Sequence, residues 1–207
     1  KSCTSRNLAV YFASNDYKVC IVDSDESQAT VKWSGRRLEN EAGIHVQVVG
    51  MADPKALRGT VKHLYEDYDI IVIDSPPSDH VMAKKVMGVS NLILMPITPT
   101  GNDELDSVAE ILERYEELQE EREKATPAYF IVNKHDNRTA FHKAFIRSLE
   151  QMGEEYNVGT LEPYIRYRPA VYGEISTHIG VTEHNDKLAK EEFIKLAEKI
   201  EAIASNI

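Results

Sequence analysis

Short runs that are apolar at nearly every position, separated by segments of helical length, constrain the fold of this chain more than any other feature. The runs KVCIVD (residues 18–23), DIIVID (69–74) and AYFIVN (128–133) lack the polar alternation of a half-exposed strand. Strands that are apolar on both faces occur in parallel sheets with helices on each side. The sequence therefore predicts an α/β fold, with a doubly wound, mostly parallel sheet and helices on both faces.

The order of the elements follows from the period of the apolar residues. Runs of strand length lie at residues 18–23, 45–49, 69–74, 91–97, 128–133 and 161–165. Segments with helical spacing lie at residues 2–14, 54–68, 103–124, 139–152 and 185–205. Asn185 or Asp186 is expected to cap the last of these helices. No repeat or linker divides the chain, so we expect a single domain over residues 1–207.

Composition narrows the classes of function. Lys plus Arg number 24 and Asp plus Glu number 34, and the resulting net charge of −10 opposes a chain-wide basic surface for nucleic acid. The two cysteines are too few for a disulfide framework, and no apolar run approaches the roughly 20 residues that cross a bilayer. We therefore expect a cytoplasmic protein without a membrane partner.

Polar residues follow the predicted strands, at the edge where a doubly wound sheet binds its ligands. Asp23-Ser24-Asp25, Asp74-Ser75-Pro76-Pro77 and Asn133-Lys134-His135-Asp136 occupy such strand ends. Lys1-Ser2 opens the first predicted helix, where backbone N–H groups, the helix dipole and an ammonium group favour phosphate. A carboxylate such as Asp74 and a hydroxyl such as Ser2 are oxygen ligands of the kind that Mg²⁺ prefers. The pattern indicates a site for phosphate and magnesium.

Taken together, these segments resemble the ParA/MinD-type ATPases, which are P-loop proteins with a deviant phosphate-binding loop. KSCTSRNLA (residues 1–9) resembles the second half of their loop GGVGKTTTAVNLA, and VDSD (22–25) resembles the start of VDxDPQ. YDIIVIDSPP (68–77) is similar to FDxIIIDxPP, PITP (96–99) to the start of PVxPS, and IRYRPAVYGE (165–174) to IxxRxAYxEA. The likeness is greatest for small plasmid-partition ParA proteins. It covers nearly the whole chain in the family's order.

The resemblance implies ATP and Mg²⁺ as cofactors and gives each matching residue a role. Catalysis would fall to Lys1, on the β- and γ-phosphates, and to Asp25, which would position the attacking water. Ser2 would bind the metal directly and Asp74 through water. Nucleotide contacts are implied for Lys1, Ser2, Cys3, Asn133 and Pro169. The alternatives are that Lys1-Ser2 and Asp74 only cap helices, and that Asp25 is a solvated loop residue.

Two features depart from the family pattern. The family's DPQ is Asp25-Glu26-Ser27 here, so the proline and glutamine are absent while the acid is kept. The strand before the loop and the glycine-rich half of the loop would precede Lys1. The sequence is therefore expected to begin part-way through the phosphate-binding loop, and the family's signature lysine belongs to the preceding part.

Residues 133–136 also match NKxD, the pattern by which many GTP-binding proteins recognise guanine. Asp136 either pairs with guanine or caps the helix that is predicted to start near Thr139. An asparagine at this strand end also contacts the base in ParA/MinD proteins, where NK and NR are common. The resemblance therefore favours ATP over GTP.

The leading hypothesis is a nucleoid-associated DNA-partition ATPase. The resemblance implies a homodimer closed by ATP, non-specific DNA, and a centromere-binding partner protein that stimulates slow hydrolysis. A local DNA patch would draw on Arg166, Arg168, Lys195 and Lys199, which are otherwise solvated side chains. The alternatives are a related ATPase that positions a protein cargo or acts at a membrane, a GTP-using switch, and a nucleotide-gated binding module without turnover.

Overall fold

The computed structural model describes residues 1–76 and 80–207, and Pro77 of the predicted strand-end motif lies outside them. The strands are β1 (Val19–Asp23), β2 (Gln47–Gly50), β3 (Ile70–Asp74), β4 (Ile93–Ile97), β5 (Ala128–Val132) and β6 (Gly159–Leu161). The helices are α1 (Ser2–Ser14), α2 (Ala29–Glu39), α3 (Leu57–Leu64), α4 (His80–Val89), α5 (Asn102–Glu120), α6 (Ala140–Glu155), α7 (Pro169–Ile175) and α8 (Lys187–Ala204). Among the helices in the described ranges, none combines the length and the apolar character that a bilayer crossing requires.

The chain forms two compact units. The first comprises Lys1–Val89 and Pro169–Ala197, and the second comprises Ser90–Arg168 and Glu198–Ile207. Each contains a three-stranded sheet in which every strand pair is parallel. Parallel sheets flanked by helices confirm the predicted α/β class, while a single domain over residues 1–207 stays a prediction.

The sheet of the first unit has the order β2-β1-β3. Its central strand, β1, is buried at all five residues. Asp23 at the end of β1 is in register with Gly50 at the end of β2 and with Asp74 at the end of β3. The three strands therefore end at the same edge, which brings the polar residues that follow them side by side.

The β3 strand is less buried than its sequence predicts. Residues 70–73 are only half-buried, and Asp74 alone is fully buried. Among the described strands β3 pairs with β1 alone. The elements described around β3 cover residues 70–73 only in part, so the prediction of continuous burial is wrong for them.

Helices of the first unit supply most of its core. The second half of α1, residues 7–13, is buried on every side and not only along the predicted stripe. Leu57 of α3 and Met82 and Val86 of α4 pack with Val22 of β1 in one apolar cluster. This cluster fixes the sheet from which the polar strand ends project.

The sheet of the second unit has the order β4-β5-β6. The α5 helix buries one residue every three or four positions, namely Val108, Leu112, Tyr115 and Leu118. The α6 helix buries Phe145, Ile146 and Leu149 in the same way. This spacing places one helix face against the core and leaves the acidic residues of α5 outward.

The C-terminal helix agrees closely with its prediction. Its cap is Asp186, whose Oδ1 accepts a hydrogen bond from the backbone N–H of Ala189 at 2.8 Å. Phe193, Leu196 and Ile200 are 2%, 0% and 2% exposed, so the predicted apolar stripe of α8 is buried. An N-cap and an apolar stripe are local signals, which is why the sequence alone was sufficient here.

Other boundaries differ from the prediction. The last strand is β6 and not residues 161–165, because Pro163 offers no N–H to a strand ladder. Ile165 still donates its N–H to the carbonyl of Val132 at 2.8 Å. The helices α2, α4 and α7 were not predicted. In α2 the buried residues are Thr30, Trp33 and Arg37, and two of these are polar, so no apolar stripe marks the helix in the sequence.

Candidate functional site

Two acids at neighbouring strand ends form the centre of the candidate site in the first unit. Asp23 and Asp74 are in register on β1 and β3, and they are 0% and 2% exposed. Two buried carboxylates side by side are stable only when hydrogen-bond donors or cations surround them. The donors around each acid therefore define what the site can do.

Asp23 receives its donors from the loop after β1 and from the start of α2. Its Oδ2 accepts the backbone N–H groups of Thr30 at 2.8 Å and Val31 at 3.0 Å. Its Oδ1 accepts the N–H of Asp25 at 3.3 Å. Asp23 thus stabilises the N-terminus of α2, where the helix dipole favours a negative charge.

Asp74 receives side-chain hydroxyl groups from two helices. The Thr30 hydroxyl donates to Oδ2 at 2.7 Å, and the Ser5 hydroxyl donates to Oδ1 at 3.3 Å. The carbonyl oxygen of Asp74 accepts both the N–H and the hydroxyl of Ser24, at 3.0 and 2.8 Å. Asp74 therefore does not serve as the helix cap that was its alternative interpretation. Both of its carboxylate oxygens are held in fixed directions by α1 and α2.

The N-terminus of α1 belongs to the same unit as this acid pair. Lys1 is exposed and is the N-cap of α1, and its carbonyl accepts the N–H groups of Thr4 and Ser5 at 2.9 and 3.2 Å. Ser2 and Cys3 lie in the first turn and are half-buried. The Cys3 carbonyl accepts the side-chain amide of Asn7 at 2.8 Å. Because Ser5 of this helix bonds Asp74, the first two turns of α1 lie beside the strand ends.

Asp25 lies in the loop between β1 and α2 and is half-buried. Its Oδ1 accepts the N–H of Ser27 at 2.8 Å, which closes a short turn before the helix. Hydrogen bonds from Ser27 lower the pKa of the Asp25 carboxyl, and the smaller opposing effect of burial does not reverse this. Asp25 is therefore an ionised carboxylate at neutral pH, only two residues from the buried acid pair.

The sequence analysis missed the side chains that hold the acids. Thr30 is 0% exposed and bonds both acids, Asp23 through its N–H and Asp74 through its hydroxyl. Arg6 donates from Nε to the Thr30 hydroxyl oxygen at 3.0 Å. Its guanidinium carbon also lies 5.7 Å from the ring centroid of Trp33. The available signals were Arg6, the only charged residue of the first helix, and a threonine soon after a strand-end acid.

A buried ion pair anchors α2 to the segment after α7. Arg37 Nη1 lies 2.7 Å from Glu183 Oε2, and Nη2 lies 2.7 Å from Oε1. Arg37 also donates to the carbonyls of His178 at 2.9 Å and Ile44 at 2.7 Å. The side chains of Arg37 and Glu183 are 4% and 17% exposed. We refer to this pair with its carbonyl contacts as the Arg37 clamp, and it fixes the helix that carries Thr30.

The other predicted site residues are distributed over both units. Asn133 follows β5 in the second unit, is half-buried, and donates its N–H to the Ile97 carbonyl at 2.7 Å. Pro169 is the first residue of α7 in the first unit and is exposed. Lys195 of the first unit and Lys199 of the second are exposed on α8, while Arg166 (exposed) and Arg168 (half-buried) belong to the second unit.

The Asp136 carboxylate does not cap α6, and both of its oxygens are already engaged by a neighbouring arginine. Its Oδ1 accepts Arg138 Nε and its Oδ2 accepts Arg138 Nη2, both at 3.0 Å. Hydrogen bonds from Arg138 lower the pKa of Asp136 to about 2. The N-cap of α6 is Thr139. A guanine base would have to displace Arg138 before it could pair with this carboxylate.

The acid pair fits magnesium better than a transition metal. Within the described residues, no group of three or more His, Cys, Asp or Glu side chains is arranged to hold a metal ion. Mg²⁺ does not need such a cage, since it keeps several waters and takes one or two carboxylates together with substrate phosphates. The buried Asp74 carboxylate and the neighbouring hydroxyls supply oxygen donors of this kind, so the residues present fit the ion.

Known proteins resemble this chain in sequence pattern and in fold. Residues 1–181 match the CbiA family, described as the CobQ/CobB/MinD/ParA nucleotide binding domain. No curated protein sequence matches the chain significantly. The MinC:MinD cell division protein complex of Aquifex aeolicus has a chain of similar fold, with 14% identity, a TM-score of 0.72, and coverage of 98% of this chain and 90% of that one.

Two further structures share the fold. A variant of McdA from Cyanothece in complex with ATP has 14% identity and a TM-score of 0.76, over 96% of this chain and 90% of that one. A protein of Borrelia burgdorferi B31 that is described as a plasmid partition protein, bound to AMPPNP, has 16% identity and a TM-score of 0.66, over 99% of this chain and 93% of that one. At these identities the likeness establishes the fold alone. The family match over residues 1–181 goes further and confirms the ParA/MinD resemblance: the chain belongs to the CobQ/CobB/MinD/ParA nucleotide-binding family.

Proposed function

We propose that this protein is a magnesium-dependent ATPase that acts as a nucleotide-driven switch. The observation that carries the proposal is the register of Asp23 and Asp74 at one sheet edge, beside the N-terminus of α1. A helix N-terminus attracts phosphate, and an adjacent buried carboxylate suits the metal that accompanies it. The ATP and AMPPNP complexes among the structures of similar fold support the choice of nucleotide.

The roles follow from charge and position. Lys1 at the N-cap of α1 would contact the β- and γ-phosphates, with Ser2 and Cys3 in the same turn. Ser2 and Asp74 would hold Mg²⁺, which when bound neutralises phosphate charge as it develops in the transition state. Phosphoryl transfer asks the protein mainly for positioning and for charge stabilisation. These residues would supply both.

Asp25 is proposed to orient the attacking water. Its low pKa keeps it ionised, so the carboxylate can accept a hydrogen bond from water. The turn closed by Ser27 holds one carboxylate oxygen at 2.8 Å and fixes the side-chain direction. A positioned acceptor of this kind is what the hydrolysis of a phosphoanhydride by water requires.

Turnover tests the assignment of Asp25. We expect Asp25→Ala to keep nucleotide affinity and to lower the rate of ATP hydrolysis by about 10²-fold or more. Glu26→Ala is the matched control, because Glu26 is the exposed neighbouring acid. Equal rates for wild type and Asp25→Ala would refute the catalytic role. Lys1→Ala should instead weaken nucleotide binding itself, since it removes the cation beside the phosphates.

ATP is proposed over GTP. The Asp136 carboxylate that NKxD proteins turn toward guanine is engaged here by Arg138 through both oxygens. This pair is exposed, since Arg138 is 86% exposed, so it biases recognition without preventing it. Competition between ATP and GTP for the protein measures the preference directly. A clear preference for GTP would support the alternative of a GTP-using switch.

DNA partition is the proposed use of the switch. ATP would close two protomers, and the dimer would bind non-specific DNA until a centromere-binding partner stimulates hydrolysis. A net charge of −10 repels DNA at long range, so a local patch has to carry the binding. Lys195 and Lys199 are exposed one turn apart on α8, and a dimer would present them twice. The Borrelia burgdorferi structure that is described as a plasmid partition protein supports this use.

Salt-dependent binding tests the DNA proposal. The double variant Lys195→Glu, Lys199→Glu should weaken DNA binding for all sequences and lower the slope of log affinity against log salt. Lys62→Glu, Lys143→Glu is the matched control, with the same change in net charge at exposed lysines elsewhere. ATP affinity should stay unchanged in both variants. If the wild-type protein with ATP binds no DNA at low salt, the alternative of a protein cargo becomes the preferred one.

A further inference from the structure

We propose that Arg6 and Thr30 are positioning residues that hold the Asp74 carboxylate in the orientation needed for the metal. This inference rests on the proposed function, because it assigns Asp74 to Mg²⁺. The family motifs assign neither residue a role, and neither is placed on the nucleotide. Their action is exerted through Asp74, and the argument depends on the direction of two hydrogen bonds.

The first step concerns the hydroxyl of Thr30. The Nε–H of Arg6 can only donate, and it points at Thr30 Oγ1 from 3.0 Å. The hydroxyl oxygen therefore acts as the acceptor in that bond. Its single hydrogen remains available for Asp74 Oδ2, which lies 2.7 Å away and can only accept. Arg6 thus fixes the rotation of the Thr30 hydroxyl toward the acid.

The second step concerns the backbone of Thr30. Its N–H donates to Asp23 Oδ2 at 2.8 Å, and the residue is 0% exposed. Thr30 is therefore held at one end by Asp23 of β1 while it holds Asp74 of β3 at the other. A residue whose backbone bonds one strand and whose side chain bonds another has little freedom to follow a moving carboxylate. The position of Asp74 Oδ2 is consequently set by α2 and not only by its own strand.

The third step concerns the charge of Arg6. Within residues 1–76 and 80–207, no direct ion pair joins Arg6 to Asp74, because Thr30 lies between them. The guanidinium rests against Trp33, with its central carbon 5.7 Å from the ring centroid, and this contact fixes it in place. Such an arrangement keeps a positive charge near the acid without occupying its oxygens. The remaining lone pairs of Asp74 stay available to the waters of a metal ion.

Groups that orient a metal ligand typically change metal affinity by about 10- to 100-fold when they are removed. Thr30→Val has nearly the same shape as threonine but lacks the hydroxyl, whereas Thr30→Ser keeps it. Removing the hydroxyl leaves Asp74 Oδ2 without its 2.7 Å donor and leaves Arg6 Nε without its acceptor. A change in magnesium dependence separates this role from a merely structural one.

The test measures binding of a fluorescent ATP analogue to the full chain while Mg²⁺ is titrated, and again in EDTA. We expect Thr30→Val to raise the Mg²⁺ concentration at half-saturation by about tenfold and to change the affinity in EDTA by less than about twofold. Thr30→Ser should stay close to wild type. Arg6→Met should resemble Thr30→Val, and it decides the question if Thr30→Val fails to fold.

The outcomes distinguish the inference from the proposed function. Wild-type protein whose nucleotide binding ignores Mg²⁺ would overturn both. Magnesium-dependent binding in wild type, with an unchanged Mg²⁺ midpoint in the folded variants that lack the Thr30 hydroxyl or the Arg6 donor, would overturn the inference alone. Equal weakening of nucleotide binding with and without Mg²⁺ would likewise assign the two residues a structural role.

Discussion

The Arg37 clamp gives the sharpest prediction about stability. Glu183→Gln keeps the shape of the side chain but removes the negative charge that faces Arg37, which is only 4% exposed. The Glu183 carboxylate accepts two hydrogen bonds of 2.7 Å from the guanidinium, and it also accepts the N–H groups of Gly180 at 2.6 Å and Ile44 at 3.2 Å. All four bonds would weaken when the carboxylate becomes an amide. The guanidinium would remain buried without a counter-charge.

The magnitude follows from that uncompensated charge. Removing one partner of a buried ion pair costs about 3–5 kcal/mol of folding free energy. For a chain of this length each kcal/mol lowers Tm by roughly 2–4 °C, so we expect Glu183→Gln to lower Tm by about 6–20 °C. The carbonyls of Ile44 and His178 still accept from Arg37, which places the expected value in the lower half of this range.

Urea unfolding monitored by Trp33 fluorescence measures the loss of stability with a probe that lies beside Arg37. Trp33 is the only tryptophan of the chain, and its ring centroid lies 5.0 Å from the Arg37 guanidinium carbon. The control is Glu174→Gln, because Glu174 pairs with His184 at 3.3 Å but is 68% exposed. The control should cost less than about 1 kcal/mol. A similar small loss for both variants would refute the reasoning, since it would mean that burial adds nothing to the cost of breaking the pair.

Further predictions concern pH, backbone strain, capping and the core. Burial raises the pKa of Glu183, but the hydrogen bonds from Arg37 and its neighbours outweigh it and lower the pKa below 4.5. The ionised Glu183 therefore contributes its full stabilisation above the unfolded-state pKa and loses it as pH falls through the folded-state pKa. In wild type, the urea concentration at the unfolding midpoint should decrease when the pH is lowered below about 4.5. Glu183→Gln should lack this part of the pH dependence. Gly43→Ala should lower the free energy of unfolding by about 1–3 kcal/mol in the same urea assay, because Gly43 has a φ of +49° and a Cβ there would meet Glu183 Oε1. An unchanged urea midpoint would contradict this. Asp186→Ala removes the N-cap bond of α8 and should cost about 1 kcal/mol by thermal unfolding, with Asp186→Asn largely restoring it. Leu149→Ala, at a residue that is 0% exposed, should cost about 2–5 kcal/mol, and a loss below about 1 kcal/mol would show that the α6 core is not packed as described.

Local signals explain which parts of the fold were predictable. The first helix was predicted at residues 2–14 and is observed as Ser2–Ser14, and the strand β1 differs from its prediction by one residue. Both have strong apolar periods and clear ends. The exposure of β3 was not predictable in this way, because it depends on which strands lie beside it. The burial of a strand is a property of the neighbours and not of the strand's own composition.

The candidate site shows the same division. The strand-end acids could be predicted, since the carboxyl edge of a parallel sheet is the expected ligand edge. Their hydrogen-bond partners could not. Thr30 bonds Asp74, which lies 44 positions away along the sequence. The helix that carries Thr30, α2, buries a threonine, a tryptophan and an arginine, so its sequence has no apolar period. Contacts made by polar side chains over such separations leave no periodic trace in a single sequence.

The Arg37 clamp also limits the substitutions that descendants of this protein can accumulate. One guanidinium serves a carboxylate and two backbone carbonyls at once, and a lysine has a single nitrogen with which to replace these contacts. Exchanging the arginine and the glutamate would place a carboxylate next to the carbonyl oxygens of Ile44 and His178, which would repel it. Gly43 is constrained by the same carboxylate, so the three positions depend on one another. Related chains are therefore expected to inherit arginine, glutamate and glycine at positions 37, 183 and 43 together, or to have replaced all three.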